Sequence, residues 1–186
     1  RADWAILDHA KPGLEGARTR RSERFVPRLA GMERNGETII ATLEMPPVAR
    51  EQLGAPERVQ LLVLPAGEGL EIVLQFWGKP ANRMPEASFL TLTPEGARAW
   101  DYLKMGLWQP GDRMATHGGG QLQAVTAVRG HLPMGGLAVR PLDTPLVAPA
   151  RSPFMPYNPA VPDLSSGVRF NLHNNKWGTN FPMWWE

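Results

Sequence analysis

Asparagine and tryptophan side chains are concentrated in residues 171–186. Side-chain amides supply paired hydrogen-bond donors and acceptors, and an indole ring supplies a flat apolar surface. A sugar presents the complementary chemistry, because its hydroxyl groups surround an apolar C–H face. The candidate saccharide-binding residues of this run are Asn174, Asn175, Trp177 and Asn180. The same side chains would equally suit a structural role, fixing an irregular loop against a β-sheet.

Arg83 and Glu86 form a second candidate pair, in the loop that follows Gly78. Pro85 stands between them and favours a turn, so the two opposite charges lie close together along the chain. From their charge and spacing we expect Arg83 and Glu86 to pair around this turn.

Sequence patterns for catalysis and metal binding are missing. There is no serine-nucleophile elbow and no phosphate-binding loop. The sequence contains no cysteine, which excludes disulfides, thiolate metal sites and cysteine nucleophiles. The histidines do not stand at metal-ligand spacing from one another, and they are His9, His117, His131 and His173. We therefore predict no catalytic residue and no metal site in this chain.

Charge and hydropathy disfavour two classes of partner. The formal net charge is +2 at pH 7. The arginine-rich stretch near the N-terminus is interrupted by Glu15 and Glu23, which is more typical of a solvated segment than of a nucleic-acid interface. The apolar runs are too short to span a bilayer, and no signal peptide is evident. The sequence thus predicts neither a nucleic-acid partner nor a membrane span, and it leaves the cellular location open.

Short alternating segments must position the candidate residues. Ile39, Ala41 and Leu43 alternate with polar residues, which predicts a half-buried strand. Two apolar segments flank Gly67 and Gly69 and predict a hairpin over residues 59–77. Further strands are predicted at 86–93, 100–108, 122–128, 137–140 and 168–173, a short helical turn at 48–53, and irregular chain at 141–167.

The fold class follows from these short elements. The 19 glycines and 19 prolines are spread among them and separate strands. Short strands, frequent turns and no long helix predict an all-β fold, an antiparallel β-sandwich. We assign residues 1–34 to a leading, partly irregular Arg-rich segment and residues 35–186 to the sandwich domain. Because the sequence starts at Arg1 and ends in an aromatic cluster, we expect a fragment of a larger protein, with the sandwich truncated at its C-terminus.

Two stretches resemble a known protein family. They are residues 79–87, KPANRMPEA, and residues 174–184, NNKWGTNFPMW. Both resemble the C-terminal β-domain region of an uncharacterised microbial family that is similar to the family-38 glycoside hydrolases, the α-mannosidases. Between them, Trp100, Lys104 and the segments at 110–112 and 142–146 occur in the matching order. The resemblance covers most of residues 30–186.

The resemblance implies that the catalytic groups and this chain belong to different domains of one protein. In α-mannosidases an N-terminal domain holds the zinc ion, the nucleophile and the acid. β-Sandwich domains that resemble the galactose-mutarotase supersandwich follow it. This chain would be such a domain, with the catalytic residues and the zinc upstream of it and no cofactor of its own. We therefore expect an accessory sandwich that packs on the catalytic domain of the same chain and contributes loops to a carbohydrate site. The resemblance implies that Arg83 and Glu86 orient a loop at the rim of that site or pair across the domain boundary; fixing the loop is the structural alternative. The alternative is a freestanding, non-catalytic carbohydrate-binding module.

Overall fold

The computed structural model describes residues 23–81, 86–113, 122–152 and 163–174. Antiparallel strands account for most of them. In chain order the strands are β1 (Arg28–Asn35), β2 (Thr38–Glu44), β3 (Arg58–Ala66), β4 (Gly69–Trp77), β5 (Ala87–Leu92), β6 (Ala99–Lys104), β7 (Leu107–Pro110), β8 (Gln123–Ala124), β9 (Ala127–Leu132), β10 (Gly135–Val139), β11 (Leu146–Pro149) and β12 (Val168–Asn174). The other described elements are one α-helix, α1 (Pro47–Leu53), and two 3-10 turns, Gly111–Arg113 and Leu164–Ser166.

The described residues divide into two compact units. The N-terminal unit, residues 23–81, contains a four-stranded sheet in the order β1-β2-β3-β4, so each strand pairs with the next one along the chain. Gly36 and Gly67 have φ angles of 60° and 59° in the tight turns β1–β2 and β3–β4. Glycine is favoured in this left-handed region because it has no Cβ atom. The two turn glycines thus allow the tight connections β1–β2 and β3–β4 of this meander.

Helix α1 confirms the short helical turn predicted at residues 48–53. Pro47 lies in its first turn, where the missing N–H costs no intrahelical hydrogen bond. The helix ends at Gly54, whose φ of 67° is left-handed and whose N–H donates to the carbonyl of Ala49. Ala49 is fully buried, so one side of this short helix packs against the interior.

The C-terminal unit lies within residues 86–174. It contains two four-stranded sheets, β10-β9-β6-β7 and β5-β12-β11-β8. Side chains from both sheets meet in one apolar core, and those that are fully buried include Trp100, Tyr102, Val128, Val147 and Val168. Two antiparallel sheets that bury a common core form a β-sandwich. The predicted fold class, an all-β antiparallel sandwich, is confirmed.

The core of this sandwich depends on close contact between β6 and β9. Gly130 lies opposite Trp100, and a Cβ atom at Gly130 would come within 3.0 Å of the Trp100 ring. A larger residue there would displace the indole. The indole N–H of Trp100 and the hydroxyl of Tyr102 are buried and have no hydrogen-bond partner among the described residues. Burial raises the pKa of the Tyr102 phenol, so this side chain stays neutral and acts by packing.

The described residues add a strand and a unit boundary that were not predicted from the sequence. Strand β1 begins at Arg28, inside the segment 1–34 that was predicted to be partly irregular. Its pairing with β2 is irregular between Leu29 and Gly31, and this irregularity hides the strand alternation in the sequence. The two compact units separate between residues 81 and 86 rather than at residue 34. The described part of residues 35–186 therefore does not form a single compact unit.

Three predicted segments of the second half are also corrected. Residues 100–108 form the hairpin β6–β7, because Met105 and Gly106 take φ angles of 51° and 81° between the strands. Residues 122–128 contribute to two strands, β8 and β9. The stretch 141–167 contains strand β11 and the 3-10 turn Leu164–Ser166, so it is not irregular throughout. Prolines around β11 concealed it, since proline is disfavoured inside strands.

Candidate functional site

The structure places two of the predicted site residues at the same end of one strand pair. Asn174, the last residue of β12, pairs with Ala87, the first residue of β5. Glu86 directly precedes Ala87, so Glu86 and Asn174 lie at the same end of the β5–β12 pair. The other predicted residues, Arg83, Asn175, Trp177 and Asn180, lie outside the described residues.

A bulge shapes this end of β12. Asn171 lies opposite Phe89 and His173 opposite Ser88, so Leu172 is an extra residue on β12. The side-chain amide of Asn171 donates to the carbonyls of Ser88 at 3.3 Å and His173 at 3.1 Å. These hydrogen bonds stabilise the interrupted ladder, and the bulge shifts the alternation of the residues that follow it.

Four polar residues gather around the bulge, and we call them the amide cluster: Glu86, Asn171, His173 and Asn174. Nδ2 of Asn174 donates to Oδ1 of Asn171 at 2.6 Å, which links the two amides. Oδ1 of Asn174 is buried and accepts no hydrogen bond from the described residues. Nε2 of His173 lies 3.7 Å from Oε1 of Glu86. Asn171 thus serves the fold, whereas Asn174 retains one acceptor without a partner among the described residues.

A second polar group lies on the sheet β10-β9-β6-β7. We call it the Asp101 cluster: Asp101, Trp108, Arg129 and His131. Trp100 and Tyr102 point into the core, so Asp101 between them points to the opposite, outer face. The strand register places Asp101 opposite Arg129, and the next pair of that face on β6 and β9 is Ala99 and His131. These groups therefore share the outer face of the sheet.

One oxygen of Asp101 receives three contacts. Its Oδ2 accepts from Nη2 of Arg129 at 2.6 Å and from Nε at 3.2 Å, and it lies 2.9 Å from Nε2 of His131. The Asp101 side chain is only 12% exposed, whereas those of Arg129 and His131 are 42% and 50% exposed. Burial raises the pKa of Asp101, but the hydrogen bonds and charges of His131 and Arg129 outweigh it. The net pKa is therefore below the usual 3.8.

Trp108 fixes the arginine of this cluster. The Arg129 guanidinium carbon lies 4.5 Å from the centroid of the Trp108 ring, a cation–π distance. Trp108 is opposite Leu103 on β6 and is 38% exposed. On the other side of β9, Gly136 and Ala138 are opposite His131 and Arg129 and add little bulk to the face. The outer face thus carries an ordered polar group beside an open indole.

The Asp101 cluster was not predicted from the sequence. Its members come from three strands and are separated by up to 30 positions along the chain. One local signal exists, since Asp101 stands between Trp100 and Tyr102 in an otherwise apolar strand. Which residues face Asp101 depends on the register of β7 and β9, which alternation alone does not specify.

Two kinds of site are not found in the part of the chain that the structure describes. No three His, Asp or Glu side chains within it are arranged to hold a metal ion. Within the same residues, no helix has the length and apolar character needed to cross a bilayer.

Comparison with protein-family models, curated proteins and solved structures gave no match. The resemblance of residues 79–87 and 174–184 to the α-mannosidase-like family therefore stays a prediction.

Proposed function

We propose that this chain is a non-catalytic, accessory β-sandwich that helps to bind carbohydrate in an α-mannosidase-like glycoside hydrolase. The catalytic residues and the zinc ion of such an enzyme would lie upstream of this chain, in a domain on which the sandwich packs. The chain itself would contribute loops to the rim of the sugar site. This assignment of the parent protein comes from the sequence resemblance.

The amide cluster is the structural observation that supports this proposal. Asn174 uses its amide nitrogen within the protein and keeps a buried carbonyl oxygen without a partner among the described residues. A buried acceptor of this kind is costly unless a donor satisfies it. A sugar hydroxyl is a suitable donor, and the Glu86 carboxylate at the same end of the strands accepts hydrogen bonds from hydroxyls too. The chain continues from Asn174 into the predicted Asn/Trp run, 175–180.

The proposal is tested by comparing this chain with the longer parent protein on nitrophenyl glycosides, in the presence of zinc. We expect turnover by the parent and none by this chain. In the parent, Glu86→Gln should raise KM for mannosides with a smaller change in kcat, because it removes a charged acceptor from the rim. Glu68→Gln, in the exposed β3–β4 turn, is the matched control and should change neither value.

Three results would contradict the proposal. Turnover by the isolated chain would show that it carries its own catalytic groups. An unchanged KM in the parent protein carrying Glu86→Gln would show that the amide cluster does not belong to the sugar site. Tight glycan binding by the isolated chain, measured by calorimetry, would favour the freestanding carbohydrate-binding module instead.

A further inference from the structure

The Asp101 cluster keeps polar atoms available on its outer face. The contacts to the Asp101 carboxylate all end on Oδ2, so Oδ1 accepts no hydrogen bond from the described residues. Arg129 uses Nε and Nη2, and its Nη1 donates to no described residue. His131 likewise uses only Nε2, which leaves Nδ1. The carboxylate oxygen is an acceptor and the guanidinium supplies donors, whereas the role of Nδ1 depends on the tautomer of His131. These polar atoms adjoin each other on two paired strands.

These groups are held in place before any ligand arrives. Asp101 and Arg129 lie directly opposite each other on paired strands, and the Trp108 ring contacts the guanidinium. A side chain that is already ordered loses little conformational entropy when a ligand binds. The cluster therefore has the preorganisation of a binding site, which an exposed and flexible ion pair would lack.

The charges of the cluster favour a neutral ligand. The Asp101 carboxylate and the Arg129 guanidinium compensate each other at 2.6 Å. A phosphate or sulfate bound to Arg129 would bring a second negative charge close to Asp101 and would compete with it. A hydroxyl group fits better, because it donates to a carboxylate oxygen and accepts from a guanidinium. Two adjacent hydroxyl groups would satisfy both partners at once.

The surroundings favour a ring over a flexible polyol. Trp108 is partly exposed on the same face and supplies a flat apolar surface next to the polar atoms. Gly136 and Ala138 on β10 are both exposed and leave room above His131 and Arg129. A pyranose ring has one C–H face for the indole and hydroxyl groups at its edge for the charged pair.

We propose that the Asp101 cluster is a binding site for a neutral saccharide with two adjacent hydroxyl groups. One hydroxyl donates to Oδ1 of Asp101, its neighbour accepts from Arg129, and the C–H face of the ring contacts Trp108. This site is on the opposite sheet of the sandwich from the amide cluster, and it does not rest on the function proposed above.

The test is an NMR titration of the isotope-labelled chain, following the indole N–H of Trp108 and the Nε–H of Arg129. The probe is methyl α-mannopyranoside, which has adjacent ring hydroxyls. Tetrahydropyran-2-methanol, with a single hydroxyl, and inorganic phosphate are the comparison ligands. We expect saturable shifts of both signals with the mannoside in the millimolar range, and none with the comparison ligands.

Two variants test whether the mannoside binds at this face. Arg129→Lys keeps the charge but removes the planar fork, and we expect at least about tenfold weaker binding, as for the loss of about 1.4 kcal/mol. Its matched control is Arg28→Lys, which alters an exposed Arg–Glu pair in the other unit. Ala138→Trp adds bulk on exposed β10 without replacing a member of the cluster, and it should block the mannoside while the chain melts normally.

Several outcomes would overturn the inference. One is the absence of saturable shifts with the mannoside. Another is an equal or stronger response to phosphate, which would make the cluster an anion site. Unchanged binding by the Ala138→Trp chain would place the mannoside elsewhere. Glu86→Gln should leave these shifts intact, so failure at the amide cluster and failure at the Asp101 cluster are distinguishable.

Discussion

The two units use apolar strand faces in different ways. In the C-terminal unit, side chains such as Trp100 and Val168 are fully buried between two sheets. In the N-terminal unit, directly paired residues place one apolar face along all four strands. Much of that face is exposed, with Leu29, Met32, Ile39, Leu70, Ile72 and Phe76 all among the exposed large apolar residues. Alternation thus specifies which face is apolar but not what covers it.

This difference has an energetic consequence. Full burial of a large apolar side chain contributes about 1.5–3 kcal/mol, in proportion to the area removed from water. Many buried side chains make this contribution in the C-terminal core. On the β1–β4 sheet, the buried large apolar side chain is that of Val59. We therefore expect substitutions to cost far more in the sandwich than on the exposed sheet.

The largest effect is expected from Trp100→Ala. Trp100 is completely buried, and its removal leaves a cavity beside Gly130. The free energy of unfolding should fall by about 3–5 kcal/mol. Phe76→Ala in the N-terminal unit is the comparison, because Phe76 is 37% exposed and should cost about half as much or less. Chemical denaturation of both variants measures the difference, and equal losses would contradict the contrast between the units.

Gly167→Ala is expected to have the next largest effect. Gly167 has a φ of 93°, and a Cβ atom there would overlap the backbone carbonyl oxygen of Leu92. The strained backbone alone costs about 1–3 kcal/mol, and the overlap adds to this. Gly36→Ala is the matched control, since its φ is 60° but its Cβ would meet nothing within 4 Å. A melting temperature for Gly167→Ala no lower than that for Gly36→Ala would show that β5 and β12 have room to move.

The loss of unfolding free energy on breaking an ion pair should also differ between the units. Asp101→Asn removes a largely buried carboxylate from Arg129 and His131, and we expect a loss of about 1–2 kcal/mol near neutral pH. Glu44→Gln breaks the exposed Arg28–Glu44 pair and should cost less than about 0.5 kcal/mol. Denaturant unfolding at pH 7 tests both, and a similar cost would show that burial adds nothing to the Asp101 pair.

The pH dependence of the Asp101 contribution has a definite sign. The pKa of Asp101 is lower in the folded state than the usual 3.8. The stability it provides is therefore present above about pH 3.8 and is lost as the pH falls through the lower folded-state pKa. The difference in the free energy of unfolding between the unsubstituted chain and Asp101→Asn should shrink in this acidic range. A difference that grows on acidification would contradict the assigned direction.

Sequence patterns predicted those parts of the fold that are specified by residues close together in the chain. The hairpin of residues 59–77 and the turn at 48–53 were correct, because alternation and turn glycines suffice to specify them. Strand β1 was missed because its bulge breaks the alternation, and β11 because prolines surround it. Register between distant strands is not local information. For that reason the Asp101 cluster could not be predicted. Glu86 and Asn174 were named from the sequence, but the bulge on β12 near them was not.

The smallest effect is expected on the exposed apolar face, and it tests the comparison most directly. Ile72→Thr keeps a β-branched side chain on β4, where Ile72 is 44% exposed. Its unfolding free energy should change by less than about 0.5 kcal/mol, as for other surface substitutions. Val168→Thr introduces a similar hydroxyl at a fully buried position and should cost about 1–3 kcal/mol, since the hydroxyl loses its hydrogen bonds to water. Paired denaturation curves measure both. If Ile72→Thr costs as much as Val168→Thr, the β1–β4 face is covered in the folded protein, and the contrast between the units disappears.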